Sequence, residues 1–128
     1  MEGEAKSGAS ILIAEDEGSV ARAVASRLEP EGHKVRWVRT IREARTELRD
    51  DPADLVLIDS ALETDGLEYF QALRFAPEAP RGGIIVLAEQ SDVRKREHAQ
   101  QLGAAAVVSK PVQGDELAVM LRDLIRHL

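Results

Sequence analysis

The stretch Ile11-Leu12-Ile13-Ala14-Glu15-Asp16-Glu17 decides how this chain is read. Four apolar residues, too few for a free-standing helix, stop abruptly at three acids. That is the pattern of a buried parallel strand delivering polar groups to the rim of a sheet. The same pattern recurs at Leu55–Ile58, which ends at Asp59, and at Ala105–Val108, which runs into Ser109, Lys110 and Pro111. A further apolar run, Ile84–Ala88, has no charge until Glu89. The segment His33–Val38 alternates instead, with Val35 and Trp37 opposed to Lys34 and Arg36, as an edge strand does.

Helical periods separate these runs. Val20, Val24 and Leu28 form a stripe closed by Pro30 and Gly32. Thr40 can cap a helix carrying Ile41, Ala44 and Leu48 that stops at Asp51-Pro52. Leu67, Phe70 and Leu73 mark a third helix ending near Pro77. Asp92 to Leu102 reads as a weakly amphipathic fourth, closed by Gly103. Leu117, Met120, Leu121, Leu124, Ile125 and Leu128 define the fifth. Five strands alternating with five helices give an α/β, doubly wound (βα)5 architecture around a parallel sheet. Ligands of such sheets gather at the carboxyl ends of the strands, where Asp16, Asp59, Ala88 and Lys110 fall.

Composition narrows the function. At 128 residues and 44% hydrophobic content one domain is expected, with an aliphatic core because aromatics are only 3%. A net charge of −6 disfavours direct nucleic-acid binding through phosphate contacts. No run approaches a membrane span, and MEGEAKSGAS lacks the apolar centre of a signal peptide. With no cysteine, a cytoplasmic location is the expectation. Residues 1–9 are expected to be a flexible tail and 10–128 the folded domain.

Acidic residues from separate rims, with one lysine, suit a hard divalent cation such as Mg2+ together with a phosphoryl group. A carboxylate can also attack phosphorus and form an aspartyl-phosphate. Simpler readings stand beside this one. The triplet Glu15–Glu17 could be a solvated loop favoured by a helix N-terminus, Asp59 a helix cap, and Lys110 an ordinary rim residue. The cluster Arg94, Lys95 and Arg96 reads as a solvated helix face. Trp37 reads as edge-strand packing, and His33, His98 and His127 as surface residues.

Taken in order, ILIAEDE, DLVLIDS, DGLEYFQALR and GAAAVVSKPV resemble the response-regulator receiver domain of two-component signalling, over about Ser10 to Leu128. The resemblance implies a flavodoxin-like sheet of strand order 2-1-3-4-5. It implies Asp59 as phosphoacceptor, Asp16 as direct Mg2+ ligand, Glu15 as second acid acting through water, the backbone carbonyl of Ala61 as a further ligand, and Lys110 as the phosphoryl-contacting lysine. It implies a sensor histidine kinase or phosphotransfer protein as donor, and a downstream partner on the face of the fourth helix, fifth strand and fifth helix. It makes the domain a phosphoacceptor signalling module and not an enzyme, apart from self-phosphorylation and autodephosphorylation. Homodimerisation through the last helix, with Arg122 and Arg126 pairing to acids, is a further expectation.

Three departures from the family pattern stand out. Ala88 occupies the usual Thr/Ser position, Val107 the usual aromatic position, and the loop SALETDG after Asp59 is one residue short and lacks its proline. They motivate the alternative of a degenerate receiver that binds partners independently of phosphorylation. A Mg2+-dependent phosphatase is disfavoured because Ala61 stands where a second acid belongs. A dinucleotide site is disfavoured because no GxGxxG follows the first strand.

Overall fold

The computed structural model describes residues 8–128. Five parallel strands, β1 (Ser10–Ala14), β2 (Lys34–Val38), β3 (Leu55–Asp59), β4 (Ile84–Glu89) and β5 (Ala106–Lys110), lie in the order β2-β1-β3-β4-β5. They alternate with α1 (Gly18–Leu28), α2 (Ile41–Asp50), α3 (Gly66–Leu73), α4 (Val93–Gln101) and α5 (Gly114–Arg126). The expected architecture and strand order are those observed, with the edges at β2 and β5.

Period-two alternation along the central strands divides the core into two layers. Leu12, Ala14, Val56, Ile58, Ile84 and Val86 pack with Ala44, Leu48, Phe70, Leu73 and Ala99 of α2, α3 and α4. Ile11, Ile13, Leu55, Leu57, Ile85 and Leu87 pack with Ala21, Val24, Leu28, Leu117 and Leu121 of α1 and α5. Continuing each alternation to the rim puts Glu15, Asp59 and Lys110 on the α1/α5 side. Ala88 falls on the other.

Local signals operate as the sequence indicates. Thr40 accepts from the Glu43 N–H at 3.0 Å, and Asp92 accepts from the Lys95 N–H at 3.2 Å, each filling a helix-start donor. Gly32 and Gly103 hold left-handed φ of 92° and 94° after α1 and α4, a conformation that costs glycine little.

Two expectations change. His33 is buried, not a surface residue, and its Nδ1 accepts from the Ala9 N–H at 3.1 Å. The physical reason is position: His33 precedes the first ladder residue of β2, under the chain that enters β1. Of the expected tail, residues 1–7 lie outside the described residues. Gly8 is exposed. Ala9 is buried, and its carbonyl accepts from the Lys34 N–H at 2.9 Å. Arg122 pairs with Glu31 at 2.8 Å and Arg126 with Asp123 at 3.8 Å, so both arginines have acids within their own chain. No helix among the described residues is long and apolar enough to cross a membrane.

Candidate functional site

The carboxyl ends of β1, β3 and β5 meet at one rim. Glu15 and Asp16 follow β1 directly, Asp59 ends β3 and Lys110 ends β5. Their separation in sequence vanishes because β1 pairs with β3, and β4 bridges β3 to β5. Glu15, Asp16 and Asp59 each offer a carboxylate oxygen, all within 4.8 Å of one another.

Lys110 Nζ sits among these acids, 2.9 Å from Glu15 Oε1, 3.4 Å from Asp59 Oδ1 and 3.9 Å from Glu17 Oε1. Glu15 and Asp59 are buried, as is Lys110 at 8% exposure, whereas Asp16 and Glu17 face solvent. Backbone donors complete the frame. The Glu17 N–H donates to Glu15 Oε2 at 3.1 Å, and the Ala61 N–H to Asp59 Oδ1 at 3.2 Å.

Burial drives the Glu15 carboxyl up to about 7. Lys110 pulls it down, and the charge of Asp59 adds to the rise. For Lys110, burial opposes the ammonium, but contact with Glu15 and Asp59 outweighs it and the pKa rises above the ordinary lysine value. The lysine is therefore a fixed cation, and Glu15 is an acid in want of positive charge. A hard divalent cation would supply that charge, and the all-oxygen donor set matches the chemistry of Mg2+.

The remaining expected site residues are placed differently. Ala61 is exposed at the mouth of the site, and its carbonyl accepts from the Thr64 N–H at 3.0 Å in a short 3-10 turn, Leu62–Thr64. A carbonyl oxygen has a second lone pair, so a ligand role remains chemically available. Ala88 is fully buried in β4 and offers only a methyl group. Val107 pairs with Val86 and packs on the α2–α4 layer. The shortened loop after Asp59 passes through left-handed φ at Glu63 (51°) and Thr64 (64°), and Glu63 Oε1 accepts from the Ile41 N–H at 2.7 Å. The Lys110-Pro111 bond is cis.

Gly66 explains how α3 supports this rim. A Cβ there would collide with the Asp59 carbonyl oxygen, so only glycine permits α3 to start against β3. The Leu67 N–H then donates to the Ser60 carbonyl at 3.3 Å.

Sequence reasoning assigned Trp37 to packing alone. Its indole Nε1 donates to the Glu15 carbonyl oxygen at 2.6 Å. The available signal was positional: Trp37 shares its side of β2 with Val35 and lies one residue from the rim.

Comparison with known proteins agrees with this fold. The model of the response regulator receiver domain matches residues 11–122. The KDP operon transcriptional regulatory protein KdpE of Escherichia coli is 31% identical over 118 residues, covering 91% of this chain and 51% of KdpE. A probable transcriptional regulator, ycf27, of Cyanophora paradoxa is 33% identical, covering 91% of this chain and 48% of its own. The chain thus spans about half the length of these relatives. In fold it is similar to chemotaxis response regulator CheY4 of Vibrio cholerae, with TM-score 0.80, 22% identity and coverage of 91% of this chain and 98% of that one. It is likewise similar to a response regulator from Thermotoga maritima, with TM-score 0.82, 24% identity and coverage of 91% and 97%. With the family-model match across most of its length, the chain belongs to the response regulator receiver domain family.

Proposed function

We propose that residues 10–128 form a receiver domain that accepts a phosphoryl group on Asp59 in a Mg2+-dependent reaction. The observation that carries this reading is the convergence of Asp59 with Glu15, Asp16 and Lys110 at one rim. Asp16 and Asp59 would hold the cation directly, Glu15 would act through water, and the Ala61 carbonyl would complete the protein ligands. When bound, Mg2+ neutralises charge on the phosphoryl oxygens.

Asp59 Oδ1 is engaged by the Ala61 N–H and lies beside Lys110. The second carboxylate oxygen is therefore the nucleophile. It forms the new P–O bond as the bond from phosphorus to the donor breaks, and the departing group keeps the electron pair. With a phosphohistidine donor that group is the imidazole of a sensor histidine kinase or phosphotransfer protein. Lys110 neutralises phosphoryl charge without moving a proton. The domain works as a signalling switch in the cytoplasm, and its only chemistry is its own phosphorylation and dephosphorylation.

Output runs through the face of α4, β5 and α5. A groove of about 450 Å3 lies along β5 and α5, lined by residues that include Gln90, Val107, Ser109, Gln113 and Met120. Ala88 and Val107 favour a second reading, in which this face binds a partner without regard to phosphorylation. No hydroxyl at position 88 can follow the phosphoryl group, and no aromatic ring at 107 can swing in response.

Acetyl phosphate with Mg2+, followed by intact-mass spectrometry, tests the leading reading. Wild type is expected to gain one phosphoryl group; EDTA and Asp59→Asn are each expected to abolish the gain. A wild type that stays unmodified beside a reactive control receiver contradicts it. Partner binding unchanged by Asp59→Asn and by the phosphodonor would favour the second reading.

A further inference from the structure

We infer that Trp37 is a positioning residue for the acidic loop, acting by holding the Glu15–Asp16 peptide in the orientation that aims Asp16. This rests on the metal reading proposed above. Within an extended strand the N–H and C=O of one residue point the same way. The Glu15 N–H donates to the Val38 carbonyl at 3.0 Å, so the Glu15 carbonyl also faces β2. β2 ends at Val38. The Trp37 indole supplies the donor at 2.6 Å where the backbone ladder has run out.

The consequence falls on Asp16. Glu15 is fixed by Lys110 and the Glu17 N–H, and Asp59 by Lys110 and the Ala61 N–H. Asp16 is exposed, and the direction of its Cα–Cβ bond is set by its backbone. The carbonyl that Trp37 holds belongs to the same peptide plane as the Asp16 N–H. Holding that plane restrains ψ of Glu15, and with it the path on which the backbone carries Asp16 out of the strand.

The indole is itself held in place. The Arg39 guanidinium lies 4.4 Å from the ring centroid. The ring edge is also 3.4 Å from where a Cβ on Gly18 would stand at the start of α1. Trp37 therefore links the edge strand to the acidic loop, beside the start of α1.

Trp37 is the only tryptophan in the chain, so a tryptophan analogue replaces one site alone. The probe is Mg2+ alone, titrated by NMR against 15N-labelled full-length protein. In wild type, the indole N–H resonance is expected to shift with the same midpoint as the amides of residues 15–17 and 59–61. Replacing Trp37 with 3-benzothienylalanine keeps the ring shape and removes only the N–H. That protein is expected to keep its melting temperature in EDTA within a few degrees and to bind Mg2+ about two- to thirteenfold more weakly, the range spanned by one neutral hydrogen bond.

Unchanged Mg2+ affinity in the analogue, or an indole resonance that stays still at Mg2+ saturation, overturns the inference. The wild-type indole shift decides the matter if the analogue fails to fold. A wild type whose amides at 15–17 and 59–61 ignore Mg2+ overturns the metal reading instead, and with it this inference.

Discussion

His33 shows how much one residue can carry without any link to the phosphoryl chemistry. Burial pushes its pKa below 6.5, against a smaller opposing effect of Glu31, and its Nδ1 must stay unprotonated to accept from Ala9. Below pH 6.5 the unfolded chain takes up a proton that the native imidazole refuses, so stability falls as pH falls. Glu15 acts in the opposite sense. Its native pKa of about 7 against an ordinary 4.5 gives stability that is full below about 4.5 and lost as pH rises through 7. His33→Asn keeps an acceptor but removes the titration, leaving Glu15 untouched. Between about pH 7 and 5.5, urea midpoints of wild type should drop relative to this variant. Parallel curves for the two proteins would contradict the buried, neutral imidazole.

The same residue marks where sequence reading stops. His33, Lys34 and Arg36 are all polar, and nothing in their order says which is covered. The answer depends on the chain entering β1, a contact across 24 positions. Trp37 was legible as an inward-facing edge residue but not as a donor to Glu15. That bond depends on the end of β2 lying beside the end of β1. Glu15, Asp16, Asp59 and Lys110 were legible because each ends an apolar run, and the parallel sheet aligns such ends.

At the level of elements, the start of α3 is the most demanding junction. Gly66 sits where any side chain would meet the Asp59 carbonyl, and the following Leu67 bonds the Ser60 carbonyl. Gly66→Ala is expected to cost about 1–3 kcal/mol, the usual range for forced overpacking. It should also slow phosphorylation of Asp59, because the obstruction is relieved by moving β3 or α3. Chemical denaturation and the acetyl phosphate assay read the two effects. A Gly66→Ala variant as stable and as reactive as wild type would show that α3 starts elsewhere.

Helix α4 is instructive in the opposite way. Its sequence VRKREHAQQ has little apolar surface, yet the helix forms. The Asp92 cap and burial of Ala99, with Leu102 packed beyond the last turn, are sufficient. Caps and the glycine at position 103 revealed this helix where periodicity alone was weak.

For the whole molecule, the two-layer core has one functional result. It holds the ends of β1, β3 and β5 in register, so Glu15 from the first strand end and Lys110 from the last lie 2.9 Å apart. The concentrated negative charge means that a cation should reward the fold as well as the chemistry.

Mg2+ titration of uniformly 15N-labelled wild type at about pH 7.5, above the Glu15 pKa so that its carboxylate is ionised, tests the central claim most directly. The account predicts that amides at residues 15–17, 59–61 and 110 shift together along one binding curve, and that Asp59→Asn weakens that curve by at least about tenfold through loss of a charged ligand. Shifts confined to one of these segments, or a curve unaffected by Asp59→Asn, would contradict a single cation site shared by the ends of β1 and β3 with Lys110 beside it.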